Sequence, residues 1–352
     1  MLTSKTVASV VAVFAAVTSA LALSSTLQEV IVDYGPNLNP NGVGFWKYQP
    51  TALAVPTPLI LGTFSPAIFL VSLYRPDFAG IHYCTGTAQK YFEGTTLAQL
   101  ADTHGFIVVY PNAPRAGGCW DVASNATLTH NGGGDSLAIA SLVRYAIANW
   151  GVDSTRVFAT GTSSGAMMTS VLMGARQQAY PDLFAAGSLY SGVPYGCYEG
   201  PNAWNSQCAE GERIMTPEQW GSLVLSGYAG YTGARPRVQF WHGTNDDILY
   251  AQNFWEQIKQ WTNVFGVSQN PTANVTDDPL PGYSRASFGP NIQGILAQGV
   301  EHTVPEQEED TLNWFGLGSL KPSQSTSTIS SSTITEITDS AGAATGVIHH
   351  EL

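Results

Sequence analysis

The turn G-T-S-S-G, from Gly161 to Gly165, contains the residues with the clearest potential for chemistry. An apolar run with the β-forming residues Val157 and Phe158 precedes this turn, and an apolar, helix-like segment follows it. A strand, a sharp turn and a helix around the pattern G-x-S-x-G expose the central serine at the carboxyl edge of a sheet. The pattern alone is weak in a glycine-rich chain, where an ordinary turn is the alternative, but the flanking elements favour Ser163 as a nucleophile.

A serine nucleophile requires a base, and the base requires a carboxylate that orients it. In proteins that use the G-x-S-x-G turn, an Asp or Glu and then a His follow the serine along the chain. The segment 237–250 predicts a buried strand that ends in a polar turn, where either Asp246 or Asp247 supplies the carboxylate.

The histidines that follow this polar turn are His302, His349 and His350. The last two lie in a C-terminal stretch without a packing pattern. Elimination therefore favours His302 as the base, and a surface histidine is the alternative. Its position in a loop after an apolar run is where a base is required.

The composition restricts the partners of this chain. It has a formal net charge of −12 and a pI of about 4.9. Nucleic acids and anionic membranes require clustered Lys and Arg, so we expect neither as a partner and favour a neutral or weakly charged substrate. Four cysteines, in a chain whose first residues predict export, indicate two disulfides with three possible pairings. Nothing in their spacing suggests a metal site, and no cofactor is expected.

The first 22 residues predict a secretory signal peptide. Lys5 supplies the positive start, an apolar core follows, and Ala20 to Ala22 form a small-x-small cleavage site. No later stretch reaches the ~18 apolar residues of a membrane span. Residues 23–318 are sufficient for one large domain, whereas the Ser/Thr-rich residues 319–352 are too polar to fold. We expect a secreted, monomeric protein that does not associate with membranes.

Strand and helix patterns alternate along the predicted domain. A helix pattern ends at Gly105, a buried strand follows at 106–112, and another helix pattern follows the sequence NGGGD at 131–135. This alternation is typical of an α/β fold with a mostly parallel central sheet and helices on both faces. We interpret NGGGD as a turn and helix cap, because it lacks the strand and the spacing of a phosphate-binding loop.

Two tryptophans lie in segments that are expected near the nucleophile. Trp120 follows the strand at 106–112, and Trp204 lies in an excursion rich in glycine and aromatic residues. Each is a candidate for substrate contact, with a packing role as the alternative.

Asn125 and Asn274 fit the N-glycosylation pattern N-x-[ST], and Asn274 lies in a predicted surface loop.

Seven motifs of this chain resemble one known family. They are HYCTGTAQ, CWDV, THNGGGD, GTSSGAMM, YSGVP, HGTxD and GxxHTVP, within a match that runs from about residue 42 to about residue 316. Together they resemble the fungal acetylxylan esterases of the polyhydroxybutyrate-depolymerase-like carbohydrate esterase family, which also contains feruloyl esterases. The resemblance implies the α/β-hydrolase fold and a triad of Ser163, His302 and Asp246, because Asp246 rather than Asp247 occupies the motif position.

The resemblance also implies the groups around the triad. The amides of Cys84 and Ser164 are expected to bind the oxyanion, which leaves the Ser164 side chain without a role and predicts that its removal is mild. In the family, a disulfide between Cys84 and Cys119 ties the oxyanion loop to the CWDV loop. We pair the other two cysteines, Cys197 and Cys208, across a short loop.

The function that this resemblance implies is removal of acetyl groups from acetylated xylan through an acyl-enzyme. A feruloyl esterase with the same machinery and a wider acyl pocket is the nearest alternative. A non-catalytic carbohydrate-binding protein that has kept the fold is an alternative from a different class.

Residues 57–80 form an irregular insert in the predicted fold. Joining residues 57–62 directly to residues 81–86 gives TPLILGIHYCTG, a strand of ordinary length that resembles the family pattern. The intervening run AIFLVSLY has no place in the sheet, and the glycine codons at both ends can hold splice signals. We hypothesise a retained short intron, with a genuine surface loop as the alternative.

Deletion of about eighteen residues between Gly62 and Gly80 is expected to increase soluble yield and ester hydrolysis, because the full chain must expose an apolar run or distort the oxyanion strand. Expression of the deletion variant beside the full chain measures both quantities. A less soluble or less active deletion variant, or transcripts that contain the segment throughout, would contradict the hypothesis and identify a genuine lid.

Overall fold

The computed structural model describes residues 22–62, 84–174, 180, 182–225 and 231–323. The predicted signal peptide up to residue 21, the greater part of the insert and residues 324–352 of the predicted tail lie outside the described residues. None of the described helices has the length and apolar character that a membrane crossing requires.

Ten strands of the described chain form one mixed sheet. In chain order they are β1 (Gln28–Glu29), β2 (Gly44–Tyr48), β3 (Thr57–Leu61), β4 (Ile107–Asn112), β5 (Val152–Thr162), β6 (Ala186–Tyr190), β7 (Arg237–Gly243), β8 (Ala273–Thr276), β9 (Tyr283–Ser287) and β10 (Ile292–Ala297). The order across the sheet is β1-β2-β4-β3-β5-β6-β7-β10-β9-β8. The strands from β4 to β10 in this order are parallel, and antiparallel pairs extend the sheet at both ends.

Helices follow or precede most of the parallel strands. They are α1 (Ala88–Gly94), α2 (Leu97–His104), α3 (Asn125–Leu128), α4 (Asp135–Asn149), α5 (Ser164–Gly174), α6 (Ser206–Ala209), α7 (Pro217–Leu225), α8 (Gln252–Phe265) and α9 (Glu308–Phe315). The predicted end of α2 at Gly105 is confirmed, since Gly105 is its left-handed C-cap with φ 75°.

Alternate residues of the central strands face two different cores, as the period of two in a strand requires. In β3, Leu59 and Leu61 belong to one core, and Ile60 belongs to the other. Residues of α4, α5 and α8 fill the first core, and residues of α1, α2 and α9 fill the second. The predicted α/β class, with a mostly parallel sheet and helices on both faces, is confirmed.

The irregular insert was predicted to begin at residue 57, but residues 57–61 form part of the strand that was predicted for the joined sequence TPLILGIHYCTG. Thr57–Leu61 is a wholly buried strand that pairs in parallel with β4 and β5. The Gly62 N–H donates to the Val109 carbonyl oxygen at 3.0 Å and so continues the same contact. Residues 63–83 lie outside the described residues.

Two other segments differ from the prediction. Asn274 lies in β8, which pairs antiparallel with β9, rather than in a surface loop, although its side chain is exposed as expected. The packed chain also continues past residue 318. Leu320 contacts the second core, and the Ser323 N–H donates to the Leu53 carbonyl oxygen at 2.9 Å.

The NGGGD turn brings two backbones into close contact. A Cβ atom at Gly134 would lie 2.5 Å from Thr127 Cα and 2.6 Å from Thr127 N, so that only glycine fits. Asp135, the first residue of α4, is fully buried and accepts hydrogen bonds from Asn41 Nδ2 at 2.6 Å and from the Asp121 N–H at 2.9 Å. The turn therefore holds α4 against the loop of the CWDV motif.

Gly134→Ala is expected to lower the free energy of unfolding by about 1–3 kcal/mol, because the added methyl group forces the two backbones apart. Equilibrium urea denaturation measures the change. Gly200→Ala is the control, since a Cβ there meets only the Tyr198 carbonyl oxygen at 3.9 Å. Equal stability of the two variants would contradict the close packing proposed for Gly134.

Candidate active site

Ser163 lies at the sharp turn between β5 and α5. Its φ is 55°, a left-handed conformation that residues other than glycine rarely adopt. Gly161 and Gly165 make the turn tight, since a Cβ atom at Gly161 would lie 2.3 Å from the Gly165 carbonyl oxygen. The Ser163 N–H donates to the Tyr190 carbonyl oxygen of the neighbouring strand at 2.9 Å. The glycines of G-x-S-x-G are thus required by the path of the backbone.

His302 lies in the loop after β10 and contacts both other residues of the predicted triad. Its Nε2 is 2.9 Å from Ser163 Oγ, and its Nδ1 is 2.8 Å from Asp246 Oδ2. An ionised carboxylate only accepts hydrogen bonds, so the proton lies on Nδ1 and Nε2 accepts from the serine hydroxyl. Asp247, the alternative carboxylate, is exposed to solvent. This arrangement allows an imidazole to take the serine proton.

Asp246 lies in the turn after β7 and is buried. Its Oδ1 accepts hydrogen bonds from the N–H groups of Ile248, at 3.1 Å, and Leu249, at 2.8 Å. Burial by itself raises the pKa of this carboxyl, but hydrogen bonds from His242 and His302 outweigh burial and hold the pKa well below its ordinary value. Asp246 is therefore ionised near neutral pH and acts as an acceptor.

Hydrogen bonds between loops hold these segments together. The Val304 N–H donates to Ser191 Oγ at 3.0 Å, and the Asn245 N–H donates to the Val300 carbonyl oxygen at 3.0 Å. Ser191 follows β6, Asn245 follows β7, and the other two residues follow β10. The carboxyl ends of three neighbouring parallel strands are thus bound to one another at the site.

A cavity of about 330 Å³ lies beside Ser163 and His302. The two tryptophans predicted as substrate contacts, Trp120 and Trp204, both line it, the first buried and the second 52% exposed. The other lining residues are Cys84, Cys119, Val122, Ser164, Met167, Tyr198, Ala203, Ile248 and Leu249. Aliphatic, aromatic and sulfur groups predominate, so the cavity favours an apolar or weakly polar group of a ligand.

Two disulfides join segments around the cavity, with the pairings that were favoured from the sequence. They are Cys84–Cys119 and Cys197–Cys208. The first bond forms part of the cavity wall, and the second lies next to Tyr198 in the chain. No three His, Cys, Asp or Glu side chains in the described part of the chain are grouped so that they could hold a metal ion.

Known proteins resemble this chain over most of its length. Residues 70–206 match the family model described as esterase PHB depolymerase. A probable acetylxylan esterase A of Aspergillus flavus is 47% identical over 293 residues, which cover 82% of this chain and 88% of that protein. This chain belongs to the acetylxylan esterase family.

Two more members of the acetylxylan esterase family agree with this assignment. The acetylxylan esterase A of Emericella nidulans is 46% identical over 294 residues, which cover 82% of this chain and 89% of that protein. The solved structure of an acetyl xylan esterase from Aspergillus awamori is 43% identical, with a TM-score of 0.74, and the match covers 83% of this chain and 100% of that one. The predicted resemblance and α/β-hydrolase fold are therefore confirmed.

The Ser164 side chain has a contact that the sequence did not indicate. In this member of the acetylxylan esterase family, Ser164 Oγ accepts a hydrogen bond from the Trp120 N–H at 3.0 Å, and both residues are buried. The hydroxyl therefore holds the CWDV loop against the start of α5. Contrary to the expectation from the sequence, Ser164 contributes more than its amide.

Other residues at the site were not singled out from the sequence. The Met167 N–H donates to the Ser163 carbonyl oxygen at 2.9 Å, which places Met167 one helical turn beyond Ser163 and in the cavity wall. Its spacing of four residues from Ser163 on a predicted helix could have indicated that it lies near the site.

Glu306 is buried and accepts a hydrogen bond from Thr162 Oγ1, and burial raises the pKa of its carboxyl well above the ordinary value. No sequence pattern indicated a buried carboxyl at this position.

Ser164→Ala is expected to lower the free energy of unfolding by about 1–3 kcal/mol, because the buried Trp120 N–H loses this acceptor. Ser170→Ala is the matched control on the same helix. Its Oγ is buried and has no hydrogen-bond partner among the described residues, so this change is expected to be neutral or stabilising. Urea denaturation of both variants tests the contact, and equal losses of stability would contradict it.

Proposed function

We propose that this protein removes acetyl groups from acetylated xylan, with Ser163 as the nucleophile, His302 as the base and Asp246 as the orienting carboxylate. The main support is the continuous chain from Ser163 Oγ through His302 to Asp246, with distances of 2.9 and 2.8 Å, beside an open cavity. The substrate class follows from the relatives in Aspergillus flavus and Emericella nidulans, whose names are those of acetylxylan esterases.

The reaction proceeds in two stages through an acyl-enzyme. His302 Nε2 takes the hydroxyl proton as Ser163 Oγ attacks the acetyl carbonyl carbon, and the Asp246 carboxylate stabilises the imidazolium. The tetrahedral intermediate then breaks the bond to the sugar oxygen, which receives the proton from His302. His302 then deprotonates a water molecule, which attacks the carbonyl carbon of the acetyl-serine. The bond from this carbon to Ser163 Oγ breaks, and His302 returns the proton to Oγ, so that acetate leaves and the serine hydroxyl is restored.

We assign the stabilisation of the oxyanion to the amides of Cys84 and Ser164. The Ser164 amide is the first of α5, and the amides of a first helical turn have no partner within the helix. The positive end of the helix dipole favours negative charge at the same point. The disulfide from Cys84 to Cys119 and the hydrogen bond from Trp120 to Ser164 Oγ support the proximity of the two donors.

The walls of the cavity suit a neutral sugar ester. Trp204 is half exposed at the cavity and offers an aromatic face on which a sugar ring can stack, whereas the buried Trp120 serves as a fixed wall. The net charge of −12 disfavours anionic substrates at long range. The cavity therefore accepts the acetyl group and part of the neutral polysaccharide chain.

The proposed substrate requires an enzyme outside the cell. Two disulfides and fungal relatives named as acetylxylan esterases support export, because disulfides persist in oxidising environments. Asn125 and Asn274 are exposed and remain candidates for N-glycosylation. The folded enzyme that we propose is therefore an extracellular glycoprotein.

Ser163→Ala and His302→Ala are each expected to reduce kcat on acetylated xylan by at least about a thousandfold, because the triad acts as a unit. Acetate release measures the rate, and thermal melting verifies that both variants are folded. Ser170→Ala, outside the site, serves as the active control. Retention of activity by folded Ser163→Ala would contradict the assignment of the nucleophile.

The acyl specificity is tested by parallel assays on acetylated xylan and methyl ferulate. We expect a clear preference for acetylated xylan. A preference for ferulate would instead identify a feruloyl esterase with the same triad. Binding of acetylated xylan without hydrolysis of either substrate would identify a carbohydrate-binding protein.

A further inference from the structure

His242 is a buried histidine that the proposed mechanism does not use. It is the sixth residue of β7, and its side chain and that of Asp246 are both 0% exposed. Its Nε2 is 2.7 Å from the Leu249 carbonyl oxygen and 3.3 Å from Asp246 Oδ2. His302 contacts the same carboxylate oxygen at 2.8 Å, so that two imidazoles meet one oxygen of the triad carboxylate.

The surroundings of His242 determine which ring nitrogen carries hydrogen. Both neighbours of Nε2, the Leu249 carbonyl and the Asp246 carboxylate, are acceptors, so the N–H group lies on Nε2. His242 Nδ1 has no hydrogen-bond partner in the part of the chain that the structure describes. A single N–H is therefore shared between two oxygens, with the shorter contact to the carbonyl.

This N–H closes the turn that carries the carboxylate. The Leu249 N–H donates to Asp246 Oδ1 at 2.8 Å, while the Leu249 carbonyl accepts from His242. Ile248 and Leu249 also line the cavity beside Ser163. One buried ring thus fixes the direction of the carboxylate and, through the same turn, one wall of the cavity.

We propose that His242 is a positioning residue for the triad: its Nε2–H holds Asp246 Oδ2 toward His302 and thereby keeps His302 oriented to accept the Ser163 proton. The inference rests on the proposed function of the triad. An orienting carboxylate acts by fixing the tautomer and direction of the base, so an influence on its rotation appears in the chemical step. A core histidine that is merely satisfied by the Leu249 carbonyl has no such effect.

Three substitutions separate these two roles. Gln places its amide nitrogen near the position of Nε2 and keeps the donor, whereas Asn is too short to reach it and Leu has no donor. With 4-nitrophenyl acetate, His242→Leu and His242→Asn are expected to lower kcat about 10- to 100-fold, the effect of a hydrogen bond to a charged group. His242→Gln is expected to remain within a few-fold of the parent, and KM is expected to change less than kcat in all three.

A double-mutant cycle with Asp246→Ala provides the readout that packing alone does not move. If His242 acts through the carboxylate, His242→Leu has no further effect on kcat once Asp246 is absent, because the effects of residues that act as a unit are not additive. A loss of packing instead lowers kcat by the same factor in both backgrounds. Thermal melting of each variant defines the temperature at which all of them are folded.

The outcomes are distinct. Loss of kcat in the Leu and Asn variants, recovery in the Gln variant and no further loss in the Asp246→Ala background support the proposal. Unchanged kcat in His242→Leu, or an equal loss in both backgrounds, overturns it. If His242→Leu does not fold, the Asn and Gln pair decides alone, and equal kcat in those two variants overturns the proposal. Activity in Ser163→Ala, measured in the same series, identifies failure of the proposed triad itself.

Discussion

The contact between two glycine backbones at the strand-to-helix turn is the constraint on which the site depends. Because Gly161 lies against Gly165 with no room for a side chain, β5 enters α5 within a single turn and Ser163 is held at φ 55°. A positive φ at a serine costs on the order of 1–3 kcal/mol. All residues of α5 are buried, so the packing of this central helix offsets that cost. A helix that is buried on every side lies in the middle of the protein, which fixes the position of its first turn as well.

The other residues of the site follow strands that are far from Ser163 along the chain. His302 follows β10 and Asp246 follows β7, and the parallel order of β5, β6, β7 and β10 brings their carboxyl ends to one edge. The cavity wall is built from the same elements. Trp120 is joined to Ser164 by a hydrogen bond, and Leu249 is joined to Asp246 in the same way. A change in the wall therefore reaches Asp246, or Ser164 next to Ser163, through a single hydrogen bond.

The sequence was sufficient to select candidate site residues whose residue type is uncommon in the chain. Three histidines follow the polar turn at Asp246, and two of them lie in a C-terminal stretch without a packing pattern, so elimination left His302. The alternation of strand and helix patterns was sufficient for the parallel sheet. Asp246 and Asp247 could not be separated by residue type, because both are carboxylates in one turn. The two side chains differ in direction: Asp246 is buried against His302, whereas Asp247 is exposed to solvent.

Contacts between distant segments had no signal in the sequence. The hydrogen bond from the Trp120 N–H to Ser164 Oγ joins a helix to a loop 44 residues earlier. Serine is common both in helices and in loops, so its residue type did not indicate this contact. His242 lies in an apolar strand pattern, which predicts that the side chain is buried but gives no sign of a contact with Asp246. The polar strand β8 was predicted as a loop, because a strand with all four residues exposed shows no alternation of apolar and polar positions.

The edges of the sheet have a consequence for behaviour in concentrated solution. A strand at an edge presents unpaired N–H and C=O groups to which another chain can add. Here the edge strands β1 and β8 have only 2 and 4 residues, all of them exposed, whereas β3 and β6 are buried over their whole length. Among the described residues, the edges of this sheet thus offer only two short strands as a template for growth of an intermolecular sheet. Sheet growth from the central strands requires unfolding that uncovers them, so the rate of that unfolding limits this route to precipitation.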